Sequence, residues 1–219
     1  MIYWSEVIVP NNPIIKDLSL DIKKAANLFD LELSDKKIQL FNHFINLLAK
    51  WNKAFNLTAV RNIDEMLDRH LIDSLSIAKF IESNRFIDVG TGPGLPGIPL
   101  AILYPEKHFT LLDSNGKKSR FQQQAKQELS LNNVEIINSR VENYIPEEKF
   151  DAVLSRAFST LEDMIKGAEH LCSEEGQYFA MKGLYPEDEL QRISKPYKVH
   201  SVSWPGNKTE RHLVVISQK

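Results

Sequence analysis

The sequence contains a single cysteine, Cys172, and this scarcity excludes several kinds of site. One cysteine cannot form an intramolecular disulfide, and zinc sites built on cysteine need two or more sulfurs. The six histidines have no metal-ligand spacing either. We therefore expect no metal centre in this protein.

Long hydrophobic runs and a strong net charge are also missing. No apolar stretch approaches the roughly 18 residues that span a bilayer, and Met1–Pro13 lacks the basic start and apolar core of a signal peptide. We therefore expect a cytoplasmic protein with no membrane partner. Because the net charge is only -2, any surface that binds nucleic acid must be a local basic patch.

The residues before Arg85 have a helical pattern. After Ser34, a candidate N-cap, apolar residues recur at spacings of three and four as far as Trp51, and a second such stripe follows Asp64. Residues 1–13 show no helical period and are treated as an extension. We assign residues 1–83 to an N-terminal extension and helical cap.

From Arg85 onward, short apolar strands alternate with helices, which predicts a mostly parallel sheet covered on both faces. The predicted strands are Phe86–Val89, His108–Asp113, Val134–Asn138, Asp151–Ser155, Tyr178–Lys182, Val199–Trp204 and His212–Ser217. The predicted helices are Ile98–Tyr104, Lys117–Leu131, Thr160–Leu171 and Pro186–Ile193. Only a short turn separates the last two strands, so they should pair antiparallel. This α/β outline, seven strands ending in an antiparallel hairpin, resembles a Rossmann-like class I methyltransferase.

A glycine-rich loop follows the first predicted strand and fits two cofactor templates. Gly90, Gly92 and Gly94 alternate as in a methyltransferase, while Gly92, Gly94 and Gly97 satisfy the G-x-G-x-x-G pattern of a dinucleotide enzyme. A pyrophosphate is held by free backbone N–H groups, which proline lacks, and three prolines occur here: Pro93, Pro96 and Pro99. S-adenosylmethionine has no phosphate, so the prolines favour it as the cofactor. An NAD-type oxidoreductase is the alternative.

Further cofactor contacts are predicted after the second and third strands. Asp113 lies 23 positions after Gly90, the first glycine of the loop, where a carboxylate accepts hydrogen bonds from a ribose in either cofactor. Its alternative role is to cap the helix that begins at Lys117. Val141 is placed to pack on an adenine ring, and Glu142 or the nearby backbone to meet its exocyclic amine. The alternative for Glu142 is a solvated surface residue.

The end of the fourth predicted strand, Leu154–Phe158, lacks the residues of two acceptor chemistries. Methylating a pyrimidine carbon requires a cysteine nucleophile, and Cys172 falls late in a predicted helix. The Asn or Asp followed by Pro-Pro and an aromatic residue, which grips an exocyclic amine, is also missing. An acceptor with a free lone pair remains, such as N7 of guanine. Arg156 is the candidate to hold the cofactor carboxylate, the base or an RNA phosphate, or else to form a structural ion pair.

Several longer strings resemble the RsmG (GidB) family of bacterial methyltransferases, which modify N7 of a guanine in 16S ribosomal RNA. The strings are W-N-K-A-F-N-L-T, R-H-L-I-D-S, D-V-G-T-G-P-G-L-P-G-I-P-L, T-L-L-D-S, S-R-A-F, M-K-G and E-R-H-L-V-V-I. The resemblance covers about Leu33–Ser217. It implies a cytoplasmic enzyme whose partner is 16S ribosomal RNA or a small-subunit assembly particle.

The resemblance also implies an S-adenosylmethionine site at Gly90, Leu95, Val141, Glu142 and Arg156. The loop and ribose arguments add Gly92 and Asp113 to that site, which lies in the predicted methyltransferase domain, residues 84–219. The candidates for contact with RNA are Arg69, Lys182 and Arg211. We assign no catalytic residue and expect a monomer. A non-catalytic ribosome assembly factor is a further alternative.

Overall fold

A computed structural model of the protein describes residues 15–156, 158, 160–207 and 209–219. The extension predicted for Met1–Pro13 lies outside these residues. No helix in the described part of the chain is both long enough and apolar enough to cross a membrane.

Seven strands form one sheet in the order β3-β2-β1-β4-β5-β7-β6. They are β1 (Arg85–Val89), β2 (His108–Leu112), β3 (Val134–Ile137), β4 (Phe150–Ser155), β5 (Cys172–Lys182), β6 (Tyr197–Ser201) and β7 (His212–Ser217). The first five strands run parallel, and β7 pairs antiparallel with both β5 and β6. The predicted fold class, including the antiparallel hairpin, is confirmed.

Helices cover both faces of the sheet. They are α1 (Ser19–Asn27), α2 (Asp35–Phe55), α3 (Ile63–Met66), α4 (Asp73–Leu75), α5 (Gly97–Leu103), α6 (Gly116–Glu128), α7 (Leu161–Ala168) and α8 (Glu187–Leu190). Ser34 caps α2 as predicted, because its side chain accepts a hydrogen bond from the Lys37 N–H group. The stop at Leu190 makes α8 shorter than the predicted helix Pro186–Ile193.

Alternating residues of β1, β2, β5 and β7 enter two separate cores. On one face, Phe86 and Phe109 stack at 5.0 Å between ring centroids and pack with the N-terminal helices, α5 and α6. On the other face, Ile87 and Val153 pack with α7 and α8. The first core includes residues on both sides of the boundary proposed at residues 83 and 84. The helical cap and the sheet therefore share one core, and the boundary stays a prediction.

The second apolar stripe is not one α-helix. A π-helical turn, Leu67–Ile72, separates α3 from α4. The leucines of the stripe are buried, so its predicted inner face is correct although the helix type is wrong. A π turn needs partners for displaced carbonyl groups, and Arg156, distant in sequence, donates to the Arg69 carbonyl. The periodicity of a short segment cannot reveal such a partner.

Cys172 does not lie late in a helix, because α7 ends at Ala168 and Cys172 begins β5. Cys172 pairs with Phe150, whereas the next pairing joins Ala152 to Gln177. The residues between, S-E-E-G, leave the regular ladder as a bulge. They lack alternating hydrophobicity, so the pattern predicted the strand only from Tyr178 onward.

Strand β6 begins and ends before the predicted limits, Val199–Trp204. Beyond Ser201 the chain leaves the sheet, and the buried Trp204 packs edge-on against Phe29 with ring centroids 6.1 Å apart. The last residues of the predicted strand, up to Trp204, therefore pack against the helical cap instead of pairing in the sheet. Sequence alternation alone could not distinguish these two kinds of burial.

Gly97 provides a test of packing between α5 and the sheet. A Cβ atom there would lie 2.2 Å from Leu111 Cδ2 and 2.9 Å from Asp88 Oδ2. We expect Gly97→Ala to lower the free energy of unfolding by about 1–3 kcal/mol, the usual cost of overpacking. Urea denaturation measures this change.

Gly116→Ala is the matched control, because Gly116 also opens a helix. Its added Cβ would meet only Asn138 Oδ1, at 3.6 Å, and alanine favours helix over glycine. This variant should be as stable as the parent or more stable. Equal urea midpoints for the two variants would contradict the close packing at Gly97.

Candidate functional site

The sheet reverses its strand order between β1 and β4, and ligands of such sheets bind at the carboxyl ends of the strands near that reversal. Two cavities lie there. The first, which we call the glycine-loop cleft, has a volume of about 240 Å³. It is lined by Val89, Gly90, Leu112, Asp113, Ser114, Ser139, Arg140, Val141, Glu142 and Phe158. The cleft therefore brings together four of the predicted cofactor residues from three separate segments.

The second cavity, which we call the arginine cavity, has a volume of about 300 Å³. It is lined by Arg69, His70, Asp73, Arg156, Met181, Lys182, Gly183 and Arg211. All three residues predicted to contact RNA meet here. Arg156, predicted as a cofactor residue, lines this cavity and is absent from the lining of the cleft.

A larger cavity, of about 510 Å³, lies at the opposite edge of the sheet. Its lining includes the strand-starting residues Arg85, His108, Val134 and Phe150. Because parallel sheets bind their ligands at the carboxyl ends of the strands, this cavity is not the candidate site despite its size.

The backbone N–H groups of the glycine loop are all engaged within the protein. Every N–H group from Gly90 to Ile98 donates to an internal acceptor, and Pro93 and Pro96 have none to donate. The acceptors are the carbonyls of Leu112, Thr91 and Gly94 and the carboxylates of Asp88 and Asp113. A pyrophosphate needs free N–H groups, so this loop is suited to a phosphate-free ligand.

Asp113 holds the loop from the end of β2. Its Oδ2 accepts from the Gly92 N–H group at 2.8 Å, and its Oδ1 accepts from the Asn115 N–H group at 2.8 Å. The side-chain cap of α6 is Asn115 rather than Asp113. A carboxylate oxygen accepts more than one hydrogen bond, so these contacts leave Asp113 able to bind a ribose hydroxyl.

Gly92 and Leu95 support the loop rather than line the cleft. Gly92 has φ +62°, a left-handed conformation that glycine adopts without steric cost, and its carbonyl accepts from Gln122 Nε2 at 2.6 Å. The Leu95 side chain is buried in the core. Their predicted roles toward a cofactor stay predictions.

Asp88 is a buried acid in β1 that the sequence reasoning did not select. Its Oδ2 accepts from the Thr91 hydroxyl at 2.6 Å and from the Gly97 N–H group at 2.9 Å. Its Oδ1 has no hydrogen-bond partner among the described residues. Burial raises the pKa of Asp88 to about 7, against the opposing effect of the hydrogen bonds from Thr91 and Gly97. An acid within an apolar strand, two residues before Gly90, was the available signal.

Asp73 is the second acid that was missed, although it lies within the R-H-L-I-D-S string. Its Oδ2 accepts from Arg156 Nη1 at 2.9 Å, and its Oδ1 accepts from Arg211 Nε at 2.7 Å. An ion pair at Arg156 was one of the predicted alternatives, and it forms. Lys182 is also paired, since its Nζ lies 2.8 Å from Glu189 Oε2.

His70 adds no positive charge to the arginine cavity at neutral pH. It is buried, its Nε2 lies 2.9 Å from the Thr58 hydroxyl, and its Nδ1 lies 3.0 Å from the Arg69 carbonyl oxygen. Burial, followed by the charge of Arg156, lowers the pKa of His70 to about 4. The net positive charge of the cavity therefore comes from its three arginines, partly offset by Asp73, since Lys182 is paired with Glu189.

Cys172 lies at the amino edge of the sheet, opposite both cavities. Burial raises the pKa of its thiol to about 11, so the sulfur is protonated at neutral pH. It cannot serve as a nucleophile at the carboxyl edge. Within the part of the chain that the structure describes, no cluster of His, Cys, Asp and Glu is arranged to hold a metal ion.

Asp88 gives a pH-dependent test of the loop. Between about pH 4, near the pKa of an unfolded Asp, and pH 7, the folded protein retains a proton that the unfolded chain has lost. The contribution of Asp88 to stability must therefore fall as the pH rises through this window. We expect the stability of Asp88→Asn, relative to wild type, to increase from pH 4 to 7 in urea denaturation.

Asp188→Asn, at an exposed position on α8, is the control for this measurement. It should show the same pH profile as wild type. A constant difference between Asp88→Asn and wild type across the window would mean that Asp88 titrates normally.

The sequence matches a family model described as rRNA small subunit methyltransferase G over residues 37–214. Three relatives carry the name Ribosomal RNA small subunit methyltransferase G. The Idiomarina loihiensis protein is 50% identical, covering 90% of this chain and 98% of its own. The Pseudomonas syringae protein is 49% identical, covering 90% and 93%. The Escherichia coli protein is 50% identical, covering 87% and 97%.

Solved structures with a similar fold are more distant in sequence. The apo form of SibL, an S-adenosylmethionine-dependent methyltransferase, aligns with TM-score 0.58 at 12% identity and covers 91% of this chain and 74% of its own. A SAM-dependent methyltransferase from Aquifex aeolicus aligns with TM-score 0.54 at 16% identity and covers 70% and 93%. At this level of identity the likeness concerns the fold.

Proposed function

Because the chain belongs to the rRNA small subunit methyltransferase G family, we propose that it transfers the methyl group of S-adenosylmethionine to N7 of a guanine in 16S ribosomal RNA. The observation that carries this proposal is the pairing of two cavities at one edge of the sheet. One is a cleft beside a loop without free N–H groups, and the other is lined by cations.

The glycine-loop cleft is proposed to hold the cofactor. Gly90 allows close approach of the backbone, and Asp113 accepts hydrogen bonds from the ribose hydroxyls. Val141 packs on the adenine ring, and Glu142 accepts from its exocyclic amine. When bound, S-adenosylmethionine supplies an electrophilic methyl group on a sulfonium centre.

The acceptor chemistry needs little from the protein besides position. N7 of guanine has a lone pair and no proton to remove, so no general base is required. A guanidinium that donated to N7 would occupy that lone pair. The arginines of the second cavity are therefore proposed to bind an RNA phosphate or guanine O6, leaving N7 open to the methyl group.

The proposed partner is 16S ribosomal RNA, alone or within an assembling small subunit in the cytoplasm, and the proposed enzyme is a monomer. Arg69, Lys182 and Arg211 are the proposed RNA contacts. Glu189 is paired with Lys182, whereas Asp73 is shared between Arg156 and Arg211. We therefore propose that Arg69 and Arg211 contribute more of the attraction for phosphate than Lys182 does.

Methyl transfer from labelled S-adenosylmethionine tests the proposed reaction. Isolated small subunits and deproteinised 16S RNA are the two substrates, and cleavage specific for 7-methylguanine maps the product. We expect one guanine to be labelled in at least one substrate. Label on another atom or another RNA would refute the proposed acceptor, and no label on any RNA would favour a non-catalytic assembly factor.

Calorimetry on Asp113→Asn tests the proposed cofactor site. Removing a charged hydrogen-bond acceptor costs about 1.5–3 kcal/mol, so we expect S-adenosylmethionine to bind at least about 10-fold more weakly. Asn offers one acceptor oxygen to two backbone N–H groups, so thermal denaturation is measured alongside to correct for the folded fraction.

The exposed substitution Asp188→Asn is the control and should bind the cofactor as wild type does. Unchanged affinity in Asp113→Asn would remove Asp113 from the site. Selective binding of NADH by the wild type would instead favour the oxidoreductase alternative.

A further inference from the structure

Asp73 joins two arginines that belong to different strands. Arg156 follows β4 and Arg211 precedes β7, and β5 lies between these strands in the sheet. Because β7 is antiparallel to β5, its first residues lie at the carboxyl edge, where His212 pairs with Lys182. Each oxygen of the Asp73 carboxylate takes one arginine, at 2.9 and 2.7 Å. The carboxylate thus links residues that flank β4 and β7 at the carboxyl edge of the sheet.

The backbone around Asp73 is itself held in place. Asp73 follows the π-helical turn, and its N–H group donates to the carbonyls of Asp68 and His70. The Arg69 carbonyl accepts from Arg156 Nη1 at 3.2 Å, so Arg156 contacts the turn at Arg69 and also the residue that follows the turn, Asp73. π turns are frequent at functional sites. Here the turn brings a carboxylate and a carbonyl oxygen to the same guanidinium.

Each arginine has N–H groups that are not bonded to Asp73. Among the described residues, Arg156 donates through Nη1, and Arg211 donates through Nε and Nη1. Neither Nη2 group donates to another residue in the described part of the chain, so these donors can meet a ligand. The arginine side chains are 26% and 22% exposed, whereas that of Asp73 is 4% exposed. A ligand in the cavity can therefore reach the arginines, while Asp73 stays beneath them.

The chemistry of this arrangement fits a phosphate group. Guanidinium groups bind phosphate oxygens through paired N–H donors, and two of them at a fixed separation define where the phosphate must lie. The lining carries three arginines against one carboxylate, while Lys182 has its own partner in Glu189. The cavity therefore keeps a positive surplus after Asp73 is counted.

We propose that Asp73 is a positioning residue that holds Arg156 and Arg211 as a pair, so that the pair binds an RNA phosphate next to the target guanine. This inference rests on the proposed function. Asp73 does not touch the RNA. It acts through the two arginines, which set the distance between the backbone of the RNA and the methyl group.

Replacing Asp73 by Asn has two effects of opposite sign. Loss of one negative charge makes the cavity more positive, which should strengthen attraction for the polyanionic RNA. Loss of the ion pairs frees the arginines, which should spoil the alignment of N7 with the methyl group. Positioning therefore predicts a lower kcat without weaker RNA binding, a combination that simple loss of a binding residue does not produce.

The experiment compares Asp73→Asn with Asp68→Asn in steady-state methyl transfer at saturating RNA and S-adenosylmethionine. Asp68 lies on the π-helical turn that precedes Asp73 and has no side-chain ion pair among the described residues. For Asp73→Asn we expect kcat to fall about 10- to 100-fold, as a misplacement near 1 Å does. RNA affinity should stay equal or tighten, and the Kd for S-adenosylmethionine should not change. Asp68→Asn should match wild type in all three.

Three results would overturn the proposal. They are a kcat for Asp73→Asn within about two-fold of wild type per folded molecule, RNA binding that weakens in parallel with kcat, and cofactor binding that weakens in parallel with kcat. If the wild type itself transfers no methyl group to RNA, the proposed function fails instead, so the two failures are distinguishable.

Two further variants test the proposal even if Asp73→Asn fails to fold. Arg211→Lys keeps the charge but lacks the Nε donor that meets Asp73, so it should also lower kcat with little change in RNA affinity. In the double variant Arg156→Gln, Arg211→Gln, adding Asp73→Asn should change kcat no further, because the residues act as one unit. Additive losses in that background would show that Asp73 acts independently of the arginines.

Discussion

The site depends on two carboxylates that hold the backbone of the glycine loop. Asp88 in β1 accepts from Gly97, and Asp113 after β2 accepts from Gly92. The strands β1 and β2 are neighbours in the sheet, so both acids contact the loop from the carboxyl ends of adjacent strands. This constraint gives the loop a shape that does not depend on a ligand, and it leaves no N–H group for a phosphate. Asp88 is buried at the expense of its ionisation, which is why its pKa is raised.

Opposite charges are segregated along the carboxyl edge. Among the described residues, the glycine-loop cleft is lined by Asp113, Glu142 and one arginine, Arg140, whereas the arginine cavity has three arginines and Lys182 around Asp73. A sulfonium and a phosphate have opposite charges, so the two ligands of the proposed reaction favour different parts of this edge. The reversal of strand order between β1 and β4 places the two cavities side by side. The helical cap completes the second cavity, because Arg69, His70 and Asp73 all come from it.

Local sequence was sufficient for much of the site. The glycines, Asp113, Val141 and Glu142 each follow a strand, and the carboxyl ends of parallel strands converge at one edge. Their meeting could therefore be predicted without knowing a single contact. Asp73, Asp88 and the partner of Arg156 could not be predicted in this way. An acid in an apolar stripe is equally consistent with a buried ion pair, a metal ligand or a solvated turn. The partner of Asp73, Arg156, lies more than 80 residues away in the sequence.

By itself, the sequence determined the fold class, the antiparallel end of the sheet, the phosphate-free character of the loop and the family. These properties follow from periodicity, proline chemistry and contiguous strings, all of which are local. Tertiary structure alone decided that Cys172 begins a strand, that the second apolar stripe contains a π turn, and that Arg156 lies with Arg211 on Asp73 rather than in the glycine-loop cleft. The first depends on pairing of Cys172 with Phe150 on the neighbouring strand. The other two depend on which distant group meets a buried charge or carbonyl, and those groups meet only when the helical cap packs on the sheet.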